Sequence, residues 1–220
     1  MTGPAHIFDK PNRYIGKPEP RADSARLLQG RGSYVDDQKL PRMAHAAFVR
    51  SPHAHAKILS IDTQEAGAAT GVVAVYSGED LAEHVTPYIG TLTHLTGLRS
   101  MPQHPLAVGV ARWQGEPVVM IVATSRALAE DACELVYVDY AELPAAVESE
   151  TALDTGAPII HPELGSNLAW ERDVVAGDID AAFAAPDVHV VEREFRFGRH
   201  TGVTLEARGT VCDYDPSENQ

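Results

Sequence analysis

His53-Ala54-His55 sets two imidazoles two residues apart. On a strand that spacing puts both rings on one face, where they could share a metal ion. They follow Ser51-Pro52, where an extended run is ending, and no third ligand stands nearby, so a structural turn is expected instead. Gly30-Arg31-Gly32 is too short for a dinucleotide fingerprint, opens no apolar helix, and is not accompanied by any Gly-Lys-Ser/Thr. A turn before Tyr34-Val35-Asp36-Asp37 is expected there, since glycine supplies positive φ. Cys133 and Cys212 have no evident cationic neighbour to stabilise a thiolate and read as small packing residues. Glu206 sits in Thr204-Leu205-Glu206-Ala207-Arg208, where Arg208 shares its strand face and could pair with it. No Gly-x-Ser-x-Gly elbow occurs. Pattern alone therefore assigns no catalytic, cofactor-binding or metal-binding residue.

The elements that must position these groups are partly legible. His45–Arg50 and Lys57–Ile61 read as strands. Asp62 is the expected N-cap of a short helix, with Glu65 its return partner in a capping box and Gly71 its left-handed end. Val72–Tyr76 reads as a strand, and Ser77 with an acid three residues on opens a second short helix. The clearest segment is 116–143. Val118–Ala123 is a β-branched apolar run that suits a strand buried on both faces. Ser125 can cap the next helix, with Leu128, Ala132, Leu135 and Val136 on one stripe. Val136–Tyr140 then alternates as a strand, and strand–helix–strand order predicts a right-handed parallel crossover. Residues 144–186 read as helical and irregular, mostly connection from Ala145 to Gly165, with a small helix capped by Asp178 and closed at Pro186. Val188–Phe197 and Val203–Tyr214 read as two long strands whose edges need cover. They look like the opening of a domain whose remainder lies elsewhere.

Composition bounds the function classes. The chain has 220 residues, 18 Lys+Arg against 31 Asp+Glu, and a net charge of −13. That balance opposes an electrostatic nucleic-acid binder and docking on anionic membranes. No apolar run approaches the ~20 residues of a membrane span, and residues 1–6 show neither a secretory h-region nor a twin-arginine pair. Two cysteines cannot build a disulfide framework, a Cys₄ zinc site or a Cys-ligated iron–sulfur cluster within these residues. A soluble, reducing, cytoplasmic setting is the expectation.

Resemblance carries the reading further. Ile15–Asp23 and Gly30–Asp37 resemble the start of the molybdopterin-binding large subunit of the xanthine dehydrogenase, aldehyde oxidase and carbon monoxide dehydrogenase family. Phe48–Ala56, Gly71–Leu81 and Gln114–Pro144 are similar to its next signatures, followed by Gly177–Phe183 and Gly198–Gly209. These motifs lie in order over about residues 14–214. The resemblance implies an α+β fold, with an extended arm at 1–24, an α/β hammerhead domain at 25–143, and at 144–220 a linker and the incomplete start of the first molybdopterin-binding domain.

The resemblance also implies a reaction: water-derived hydroxylation of an aldehyde, purine or N-heterocycle, or oxidation of carbon monoxide, at a molybdenum–molybdopterin centre. Electrons leave through [2Fe-2S] clusters to FAD on partner subunits. The family's catalytic glutamate and cofactor-holding motifs lie beyond the position matching Gln220, so no catalytic, cofactor or metal residue is carried over. Residues Thr86–Val108 occupy the region that in the family approaches the substrate funnel but match no fixed motif, so no role is carried over to them, and the Glu206/Arg208 motif falls at a domain junction. Two readings follow. In the first, the chain is the N-terminal portion of such a large subunit, completed by another polypeptide through an apolar interface on residues 188–214 larger than ~2,000 Å². In the alternative, it is a non-catalytic hammerhead-like interaction or assembly module.

Overall fold

The computed structural model describes residues 16, 18, 20–90, 92, 94–198, 200–215 and 217; most of the expected 1–24 arm lies outside them. Contacts gather into two units, Pro41–Glu194 and a second made of Met1–Leu40 with Phe195–Gln220.

The first unit is built from two three-stranded antiparallel sheets. Strands β1 (His45–Arg50), β3 (Val72–Ser77) and β5 (Pro117–Ala123) form one, with β5 central. Strands β2 (Ala56–Asp62), β4 (Val110–Ala111) and β6 (Tyr137–Glu142) form the other, with β2 central. The β-branched run of β5 does what its composition requires: Val118, Val119, Ile121 and Ala123 are fully buried. Ile58 and Ile61 of β2 and Val138 of β6 pack against the cluster that contains Val118, Val119 and Ile121, so both sheets feed one core.

The expected parallel crossover does not form. Both neighbour positions of β5 are taken by antiparallel strands, and helix α4 (Arg126–Cys133) delivers the chain to the other sheet. Ser125 Oγ accepts the Leu128 N–H, as its position before the helix suggests. The helix ends at Cys133, so its buried face is Ala129 and Ala132, while Leu135 lies beyond it and is partly exposed.

Three further helices are short. At α2 (Gln64–Ala68), β2 runs one residue longer than expected, through Asp62. Thr63 therefore takes the N-cap position, and Asp62 Oδ1 accepts the Gln64 N–H as a turn rather than completing a box with Glu65. At α3 (Gly78–Ala82) the capping box is complete: Ser77 Oγ accepts the Asp80 N–H, and Asp80 Oδ2 accepts the Ser77 N–H at 2.8 Å. Ser77 Oγ–H also donates to Asp80 Oδ2 at 2.6 Å, and this bond, followed by the one from the Ser77 N–H, holds the Asp80 carboxyl below its ordinary range. Gly78 starts α3 against the chain at Leu106–Ala107, where an added Cβ would stand 2.1 Å from the Ala107 carbonyl oxygen. Asp178 caps the later helix α5 (Ile179–Ala184) by accepting the Ala181 N–H at 2.9 Å.

In the second unit, helix α1 (Ser24–Leu28) precedes a 3₁₀ turn at Val35–Asp37. Glu206 Oε1 accepts the Val35 N–H at 3.1 Å, and Gly209 packs so closely that a Cβ there would meet Val35 Cγ1 at 2.7 Å. Thus the expected strand-face partnership of Glu206 with Arg208 is replaced by a bond to backbone far away in sequence. Gly30 takes φ +68, as the turn reading requires.

The two long strands expected at 188–197 and 203–214 are absent among the described residues. Alternation marks a face suited to burial, but a strand also needs a partner to satisfy its backbone. Among the described residues no partner strand lies alongside, and Val203, at φ +39, breaks the extended course. The apolar side chains stay exposed, Val203 at 80% and Phe197 at 87%.

Candidate functional site

The polar groups of the first unit converge where β2 begins and β6 ends. The β1–β2 turn is locked by Ser51: its N–H donates to the Glu116 carbonyl at 2.9 Å and its carbonyl accepts the Gly115 N–H at 2.8 Å. His53 Nδ1 lies 3.5 Å from Glu142 Oε1, and its ring meets Tyr140 edge-on at 5.0 Å. His55 Nδ1 lies 2.7 Å from the Pro144 carbonyl. Each imidazole thus has a separate partner. Among the described residues, no group of three or more His, Cys, Asp or Glu side chains is placed to hold a metal.

Sequence reasoning missed the neighbouring cluster. Glu116 is buried and accepts the Arg112 backbone N–H. Burial pushes its carboxyl above the ordinary range, opposed by that bond and by the Arg112 charge. The Arg112 guanidinium reaches Glu163 at 3.6 Å. His161 has its titration lowered first by burial, then by the Arg112 charge, with Glu163 acting the other way and His55 adding to the repulsion. The Nδ1 of His161 and the Nε of Arg112 are both buried without a hydrogen-bond partner. The only prior signal was Glu116 between Gly115 and Pro117, a charge at the mouth of an apolar run.

Cys133 is partly buried, and burial followed by the Glu130 carboxylate raises its thiol, which reduces the thiolate available at neutral pH. Cys212 is exposed. In the expected funnel region, Tyr88 and Gln103 exchange two backbone bonds of 2.8 Å, pinching the loop between them. A 380 Å³ open hollow lies at 145–158, lined by small residues together with Glu148 and Asp154. Asn167 shapes this stretch, accepting the Ile160 N–H and donating to the Ala152 and Pro158 carbonyls. Two carboxylates and no basic side chain make the hollow a poor fit for a phosphate-bearing pterin. This hollow therefore does not fit the cofactor, and no reaction step is placed on it.

An α+β chain of antiparallel sheets with this order of elements has known relatives. The family described as aldehyde oxidase and xanthine dehydrogenase, a/b hammerhead domain, matches residues 29–144. The chain belongs to that family. It is 37% identical to the nicotine 6-hydroxylase large subunit of Paenarthrobacter nicotinovorans over 98% of this chain and 26% of the relative. It is 41% identical to the carbon monoxide dehydrogenase large chain of Afipia carboxidovorans over 91% of this chain and 26% of that one. Among solved structures, quinoline 2-oxidoreductase from Pseudomonas putida 86 superposes with TM-score 0.65 at 43% identity, covering 70% of this chain and 20% of that chain. The chain spans about a quarter of the length of these curated relatives.

Proposed function

We propose that this chain is the N-terminal portion of a molybdenum hydroxylase large subunit, a cytoplasmic oxidoreductase part that does not turn over alone. Residues 25–143 act as the hammerhead domain and 144–220 as the linker and start of the first molybdopterin-binding domain. The observation that carries this reading is identity of 37–41% along more than nine-tenths of the chain with proteins named as large subunits or chains. The molybdenum cofactor and the catalytic base then sit on a completing polypeptide, and [2Fe-2S] and FAD groups on further subunits pass electrons away. The reaction is hydroxylation with oxygen from water of an aldehyde, purine or N-heterocycle, or oxidation of carbon monoxide. Within that assembly the residues of this chain bind and position. Ser51, Glu116 and Asn167 hold the backbone around the 104–116 and 144–170 segments, and residues 86–108 form part of the substrate approach.

A tagged pull-down from the native host with metal analysis tests this. Recovery of a larger polypeptide with molybdenum and iron supports the reading and opens substrate screening with an artificial electron acceptor. Recovery of a metal-free monomer overturns it in favour of a non-catalytic module.

A further inference from the structure

Arg99 makes three bonds to one short stretch of chain. Its backbone N–H donates to the Ala169 carbonyl at 2.9 Å, and one guanidinium nitrogen donates to the Leu164 carbonyl at 2.9 Å. The other terminal nitrogen donates to the Leu168 carbonyl. Trp170 answers from the opposite side, its indole Nε1–H donating to the Thr96 carbonyl at 3.3 Å. The 161–170 stretch offers these carbonyls because it is irregular: only a single 3₁₀ turn, Pro162–Leu164, uses its own backbone, ending at Gly165 with φ +68. The loop side is equally poor in internal bonds. Among the described residues, beyond the Tyr88–Gln103 pair it has two short turns, Leu95 N–H to the Leu92 carbonyl and Leu98 N–H to the Leu95 carbonyl.

We infer that Arg99 is a clasp that makes the 94–103 loop and the 161–170 connector one mechanical piece, so that a displacement of the connector is passed to the loop. A planar guanidinium can span two carbonyls at fixed spacing, which a single ammonium cannot do. A charged donor gripping carbonyls is also stronger than a neutral one. The clasp is a property of this chain and holds whichever function it serves.

Hydrogen exchange on the full 220-residue chain, read by mass spectrometry, tests it. Arg99→Ala is expected to speed exchange of Leu98, Arg99-position and Gln103 amides together with those of Leu164, Gly165 and Leu168. The acceleration expected is roughly tenfold to a hundredfold on both sides, with β5 and α4 unchanged. Arg99→Lys should restore neither side fully. Trp170→Phe, which removes one bond and keeps the ring, should give a smaller acceleration on both sides and serves if Arg99→Ala does not fold. Acceleration confined to one side, equal acceleration throughout the chain, or full protection in Arg99→Lys would overturn the clasp.

Discussion

At Glu116 two demands meet: the Arg112 N–H needs an acceptor, and the buried site resists a charge. Glu116→Gln keeps an acceptor and removes the charge, so its stability at pH 7 should stay within about 1 kcal/mol of the native chain or exceed it. Glu116→Ala leaves the amide unsatisfied and should cost about 1–3 kcal/mol, both read from urea unfolding. Because the folded carboxyl titrates above its unfolded value of 4.5, its favourable contribution is complete below 4.5 and is lost as pH rises through the folded value. The gap between native and Glu116→Gln should therefore narrow as pH falls towards 4. His161 has the opposite sign in practice. Its folded titration lies below 6.5, so stability is present above 6.5 and is lost as pH falls through the folded value. His161→Gln should flatten the dependence of the urea midpoint between pH 7.5 and 5, and an unchanged slope would remove His161 from the cluster. Neither residue was visible beforehand, because burial of a lone Glu or His depends on contacts from segments tens of residues away. The turn at 51–55 was visible, because Ser51-Pro52 is a local signal.

At the scale of elements, local cap signals held except at Asp62, where β2 runs on through the expected cap. Ser77, Ser125 and Asp178 each bond an amide three residues on, as their positions imply. Strand β5 was legible from its β-branched run, but its partners were not: alternation does not say whether the neighbour is parallel, and β1 and β3 filled both sides antiparallel. The strands expected after Val188 failed for the same reason, since pairing is a property of two segments. Gly78 illustrates a close approach that no local rule reveals. Gly78→Ala pushes a Cβ into the Ala107 carbonyl, and backbone on both sides must shift. The expected cost is about 1–3 kcal/mol, against about 1 kcal/mol for Ser77→Ala, which only removes the cap. Thermal unfolding of the two variants side by side should rank them in that order. A larger loss in Ser77→Ala would mean that the box, not the close approach, fixes α3.

At the scale of the molecule, the exposed apolar residues of 195–211 separate stability from assembly. Phe197 and Leu205 are exposed, so they contribute little to holding this chain folded. If they are covered by the completing polypeptide proposed above, each contributes there through burial of a large side chain, about 1.5–3 kcal/mol. The double variant Phe197→Asp, Leu205→Asp should then leave the urea midpoint of the isolated chain nearly unchanged, within about 0.5 kcal/mol. The same variant should weaken capture of the larger polypeptide by a hundredfold or more, roughly the exponential of the summed burial. A change in capture without a change in folding is the signature of an interface. A fall in the midpoint with capture intact would instead make this apolar segment part of the chain's own core, and the non-catalytic module would become the better reading. The net charge of −13 gives the same experiment a control in salt. Capture driven by apolar burial should persist at high ionic strength, where contacts between exposed charges are screened within a few ångströms.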